Sequence, residues 1–133
     1  MIISTRGRYA LRVMIDLAEN CNGKYIPMKE VAARQEISLK YLEQILPVLT
    51  KNGLVEATHG KCGGYRLSVD PKECTVGMVL RLTEGERAVV TCLNGDGECS
   101  RQDFCRTKDF WSGLNETINK YIDSYTLADM MKK

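Results

Sequence analysis

The sequence predicts a fold that is mainly α with a small β-hairpin, and three observations carry that expectation. Apolar residues recur at helical spacing through most of the first fifty positions. Two short alternating segments flank a glycine-rich loop after Gly53. A last amphipathic stretch, rich in large apolar side chains, approaches the C-terminus. At 133 residues the chain suits one domain, or a small domain with an appended oligomerisation element.

The elements follow in order. Between Arg8 and Glu19 the apolar residues Tyr9, Ala10, Val13, Met14, Leu17 and Ala18 form an i, i+3, i+4 stripe, so a first helix is expected. The turn NCNGKYIP ends it, with Gly23 as a stop and Pro27 opening the next element. A short second helix fits Met28–Gln35, with Val31 and Ala32 inward. Ser38 then reads as the N-cap of a third helix whose inward stripe is Leu39, Leu42, Ile45, Leu46 and Leu49. Pro47 lies inside that helix, removes one hydrogen bond and predicts a bend or local irregularity. Gly53 closes the segment.

LVEAT (54–58) and YRLSV (65–69) alternate with period two around HGKCGG and predict the hairpin. A short helix fits Val76–Leu82. After a cysteine-bearing loop, a longer helix is expected from about Thr107 to Tyr125. Phe110, Trp111, Leu114, Ile118, Tyr121 and Ile122 share one of its faces. That is more large apolar surface than so small a chain easily covers, which predicts a homodimer. The tail TLADMMKK can add a further turn or two.

Composition narrows the classes of function. The chain is 44% hydrophobic and 27% charged, ordinary for a soluble globular protein. No run of 18 apolar residues exists, so no membrane span is expected, and the N-terminus has no apolar stretch of signal-peptide length. A cytoplasmic protein is therefore expected. The formal net charge is +2, with ten Lys/Arg against seven Asp/Glu in residues 1–70 and nine against ten thereafter. That asymmetry is too mild to argue for nucleic acid by itself. No nucleophile–base pair stands out, and an enzyme is not expected.

Two features carry chemistry. The order helix, helix, turn, helix, hairpin makes a winged helix-turn-helix. Its third helix would present Ser38, Lys40, Tyr41, Glu43 and Gln44 to the major groove, where such residue types can bond bases or phosphates. His59 and Lys61 in the hairpin loop suit the DNA backbone or the minor groove. The second feature is TCLNGDGECSRQDFC, which spaces Cys92, Cys99 and Cys105 as Cys-x6-Cys-x5-Cys. Thiolates favour iron–sulfur clusters, zinc or copper(I), and structural zinc usually pairs cysteines at closer spacing. Cys21 and Cys74, by contrast, read as incidental small apolar residues.

Taken together, STRGRYALRVMIDLA, EISLKYLEQILPVLTKNGLVEATHGKCGGYRLS and the triple-cysteine loop resemble the IscR-type branch of the Rrf-two winged-helix transcription regulators. The likeness runs over nearly the whole chain, and the combination of S-x-x-YLEQ, KNGLV, a GGY wing and three following cysteines is specific. The resemblance implies a homodimer that binds double-stranded operator DNA. It also implies an iron–sulfur cluster on Cys92, Cys99 and Cys105, with 2Fe–2S preferred over 4Fe–4S. Family DNA contacts fall by position on Thr5, Arg8, Ser38, Lys40, Tyr41, Glu43, Gln44, His59 and Gly60.

The implied division is a DNA-binding winged helix-turn-helix over 1–70, a linker helix with the cluster loop over 71–106, and a dimerisation helix with its tail over 107–133. The expected function is a regulator that senses iron–sulfur status, oxidants or nitric oxide. The alternative is a cluster-free, thiol-responsive regulator controlled by binding a metabolic enzyme. This chain departs from the pattern at Lys40, where several relatives have a small polar residue, and at His59, where an arginine often enters the minor groove. Lys108 stands where a ligating histidine is common, and Arg8 where other members supply an acidic ligand. The fourth ligand is then sought among Asp96, Glu98, Asp103, Asp109, Glu43, Cys62, Cys74 and a small exogenous ligand.

Overall fold

A computed structural model describes residues 3–86, 88–94 and 99–132. The order of elements is α1 (Thr5–Asn20), α2 (Met28–Gln35), α3 (Leu39–Lys51), β1 (Val55–Thr58), β2 (Gly64–Leu67), α4 (Val76–Glu84), a 3-10 turn (Thr91–Leu93), α5 (Lys108–Ser124) and α6 (Leu127–Met130). This is the expected helix–helix–hairpin order, with α2 at the expected bounds.

Each boundary has a local cause. Ser4 caps α1, its hydroxyl accepting from the Gly7 amide at 3.2 Å, so α1 begins four residues before Tyr9, where the apolar stripe starts. Ser38 caps α3 in the same way from the Tyr41 amide at 3.1 Å. Between α2 and α3 the chain turns at Glu36, whose φ of 53° is left-handed, a conformation a non-glycine residue adopts at some cost. Helix α3 runs through Pro47 without a break. One expected core residue is misplaced. Leu39 is the first residue of α3 and is exposed, because the first turn projects beyond the packed face.

Leu42, Ile45 and Leu49 of α3 are fully buried in one cluster with Val13, Met14 and Leu17 of α1, Val31 and Val55. Burying each such side chain contributes about 1.5–3 kcal/mol. The same cluster includes Cys74, Val79 and Leu127, so it crosses residue 70 and reaches the C-terminal tail. The hairpin pairs Val55 with Leu67 and Thr58 with Gly64, antiparallel. Ile26 adds a bridge to Tyr65, with amide-to-carbonyl distances of 2.8 and 2.9 Å. Arg66 bonds Glu56 across the hairpin at 2.6 Å and the Gly23 carbonyl at 3.0 Å, fastening the wing to the α1–α2 turn.

Candidate nucleic-acid interface and thiol loop

The helix-turn-helix places one group of the expected residues together. Ser38, Lys40, Glu43 and Gln44 are exposed on α3, and Tyr41 is half-buried among them. They occupy its first two turns, the end that can enter a groove while Leu42, Ile45 and Leu46 anchor the opposite face. At the start of α1, Thr5 is half-buried and accepts from the exposed Arg8 guanidinium at 3.1 Å. His59 and Gly60 are exposed at the tip of the wing, and Gly60 takes a φ of +105° that favours glycine.

Sequence reasoning missed what stands behind Tyr41. Its ring packs edge-on against Tyr9 of α1, centroids 5.3 Å apart at 73°. The Arg12 guanidinium lies 5.2 Å from the Tyr9 ring centroid. Arg12 also donates to the Gln35 side-chain oxygen at 3.1 Å and to the Gln35 backbone carbonyl. Gln35 in turn donates to Asp16, a carboxylate only 2% exposed that Arg34 grips with two bonds at 2.8 and 3.0 Å. Only Tyr9 had entered the apolar pattern, and polar pairings of this range leave no periodic trace.

The three loop cysteines lie outside the core. Cys92 sits on the 3-10 turn and is exposed, Cys99 is exposed, and Cys105 is half-buried just ahead of α5. Among the described residues, no three Cys, His, Asp or Glu side chains stand close enough together to hold a metal ion. Asp96 and Glu98, two candidates for the fourth ligand, lie outside the described residues. Of the others, Asp103 and Asp109 are exposed, two residues before and four after Cys105 in the sequence, Glu43 is on α3 and Cys62 is on the wing. Cys74 is fully buried, and burial pushes its thiol pKa up, which fits the small apolar residue expected there and not a ligand.

Cys105 has the opposite environment. The Thr107 hydroxyl, 3.4 Å from its sulfur, lowers its pKa first, followed by the backbone amides of Thr107 and Lys108 at the start of α5 and the charge of Arg101. This favours the thiolate, the form that binds metals. Three accessible thiols, one biased to the thiolate, make a donor set that fits an iron–sulfur cluster in its chemistry.

Neighbouring elements hold the loop at defined points. The Asn115 side-chain carbonyl of α5 accepts from the Val89 amide at 3.0 Å, and that of Asn94 accepts from Ala88 at 2.6 Å. Upstream, Glu84 at the end of α4 accepts from the Ser4 amide at 3.1 Å and from its hydroxyl, fastening α4 to the start of α1. Phe110, Leu114 and Tyr121 are exposed on α5, and no residue of α5 is buried.

The family model described as Rrf2, an iron-dependent transcriptional regulator, matches residues 3–133. The chain belongs to the Rrf2 family. Members are DNA-binding winged-helix regulators that act as dimers, and they are not enzymes. The chain is 36% identical to the HTH-type transcriptional regulator IscR of Serratia proteamaculans, over 98% of this chain and 79% of that one. Among Rrf2 structures it is similar to T. potens IscR, with a TM-score of 0.77, 36% identity, and coverage of 98% of this chain and 85% of that one. It is also similar to CymR (YrzC), the global cysteine regulator of B. subtilis, with a TM-score of 0.81, 33% identity, and coverage of 98% and 95%. Among the described residues no helix is long and apolar enough to cross a membrane.

Proposed function

We propose that this Rrf2 regulator reads operator DNA through α3 and the wing, with an affinity set by an iron–sulfur cluster on Cys92, Cys99 and Cys105. Ser38, Lys40, Tyr41, Glu43 and Gln44 would face the major groove. Thr5, Arg8, His59 and Gly60 would meet the backbone and the adjoining minor groove. Three protein thiolates leave one ligand position of the cluster, 2Fe–2S in this reading, to another donor, for which Asp103 and Asp109 flank Cys105 in the sequence. When bound, the cluster supplies a tie between Cys92, Cys99 and Cys105 that oxidants or nitric oxide can break.

The observation that carries the reading is how the thiol loop is fastened. At one end Asn115 of α5 holds Val89, and at the other Cys105 runs directly into α5. Helix α4, which enters the loop, is clasped to the start of α1 by Glu84 and Ser4. A change in the loop therefore bears on both the dimer helix and the helix carrying Thr5 and Arg8. Two placements of the DNA-reading units, biased by the state of the loop, would account for regulation.

The test is anaerobic purification followed by iron and sulfide analysis, visible spectra and operator binding. Visible iron–sulfur absorption should vanish in the triple variant Cys92→Ala/Cys99→Ala/Cys105→Ala, together with the difference in operator affinity between loaded and stripped protein. Colour persisting in that variant refutes the ligand assignment. Colourless protein that co-purifies with a stoichiometric enzyme would support the cluster-free alternative.

A further inference from the structure

We propose that Tyr9 and Arg12 are positioning residues for operator recognition, setting the Tyr41 side chain at the start of the recognition helix without touching DNA themselves. The inference rests on the reading above in one respect, that Tyr41 meets DNA. Tyr41 is the third residue of α3, and its amide is already committed to the Ser38 cap. Among the described residues, none hydrogen-bonds its hydroxyl, so that group remains available to a base or phosphate. What limits the ring is Tyr9, packed edge-on at 5.3 Å. An aromatic side chain has two rotatable bonds, so one such contact removes most of its freedom.

Tyr9 is itself held. Arg12 lies one turn on in α1, its guanidinium 5.2 Å from the Tyr9 ring centroid. An arginine on an exposed helix face near a DNA-reading unit would ordinarily be assigned to a phosphate. Arg12 is instead committed within the protein, with Nε and Nη2 both donated to Gln35. The carbonyl it caps closes α2, immediately before the left-handed Glu36, so a cation sits where a helix C-terminus favours one. Gln35 is fixed from the far side by Asp16, which Arg34 also holds. The relay Asp16–Gln35–Arg12–Tyr9–Tyr41 thus joins α1, the end of α2 and the start of α3, the three parts whose angles aim the recognition helix.

The experiment uses the full-length protein and a duplex that the wild type selects from a randomised pool, with an unrelated duplex for comparison. Affinities are measured at several salt concentrations. Tyr9→Leu should lower the selected-to-unrelated affinity ratio roughly threefold to tenfold, the worth of one aromatic pair. Tyr9→Phe should retain the ratio. In a Tyr41→Ala background, Tyr9→Leu should cause no further loss, because its effect passes through that ring. Arg12→Gln, a surface change that should leave the fold intact, should lower the ratio while the slope of affinity against salt stays unchanged. If Tyr9→Leu fails to fold, Arg12→Gln decides alone.

Three results overturn the proposal: an unchanged ratio in folded Tyr9→Leu or Arg12→Gln, additive losses with Tyr41→Ala, or a salt slope that falls by about one in Arg12→Gln, the mark of a lost phosphate contact. Lys40→Ala and Gln44→Ala separate the two levels. If neither alters the ratio, the assignment of α3 to DNA is wrong. If they alter it and the Tyr9 and Arg12 variants do not, only the relay is wrong.

Discussion

Arg81 of α4 and Asp123 of α5 meet as a two-pronged ion pair, Nη1 to Oδ1 at 2.7 Å and Nη2 to Oδ2 at 2.8 Å. The same guanidinium reaches the Asn119 side chain at 3.3 Å. Gly77 makes room for it, since a Cβ there would collide with the Asp123 carboxylate. The pair ties α5 to the helix that Glu84 clasps to α1.

Asp123→Asn should therefore loosen α5 before it unfolds the protein. The pair is partly exposed, so the loss should be about 0.2–1 kcal/mol, read as a lowered thermal midpoint and faster amide exchange in α5. Arg81 holds the Asp123 carboxyl below its ordinary pKa of 3.8. A carboxyl depressed in the folded state stabilises above its unfolded value, and loses that contribution as pH falls through the lower folded one. The gap between wild type and variant should be full at neutral pH and close in acid below 3.8. A gap that is constant across that range would refute the pairing.

Gly64→Ala should separate the wing from the body. A Cβ at Gly64 would run into the carbonyl group of Ile26, whose backbone is bridged to Tyr65 and cannot retreat freely. The expected loss is about 1–3 kcal/mol, the usual range for overpacking. If the wing meets DNA as proposed, DNA affinity should fall with it, as His59 and Lys61 are displaced. Gly60→Ala is the comparison, because its Cβ would meet open space and the cost is confined to its positive φ. Equal stabilities for the two variants in urea would contradict this account.

Leu127→Ala should cost about 2–5 kcal/mol, although only six residues follow it in the sequence. Leu127 is fully buried, its amide donates to the Cys74 carbonyl at 2.9 Å, and Val76 donates back to Tyr125 at 2.9 Å. Urea unfolding should show one lowered transition. If the core melts unchanged and only the tail is lost, the tail is an ornament and not part of the core.

What the sequence revealed and concealed follows the reach of each interaction. Helix α2 matched its expected bounds because Pro27 and the apolar pattern are local signals, and the Ser38 cap was legible for the same reason. Leu39 obeyed the helical spacing but not the packing, since spacing cannot tell where a helix leaves the core. The Ser4–Glu84 clasp spans 80 positions and joins polar groups that follow no repeat, so nothing in the sequence announced it. TLADMMKK predicts only a further turn or two, because it is too short to show which residue is buried. The thiols were found by spacing alone, yet the feature that bears on their chemistry, the Thr107 hydroxyl beside Cys105, depends on how the start of α5 is turned.

The Asn115–Val89 bond has a consequence for stoichiometry. Because it fixes each thiol loop to α5, a dimer joined through the exposed apolar face of α5 would carry two loops fastened to one seam. An oxidant that reacts with one loop at a time would pass the population through half-altered dimers, a third molecular species between intact and fully altered. The dose–response of such a regulator is then governed by how that lopsided species grips DNA, and two proteins with identical loops could respond steeply or gradually according to the stiffness of the seam alone.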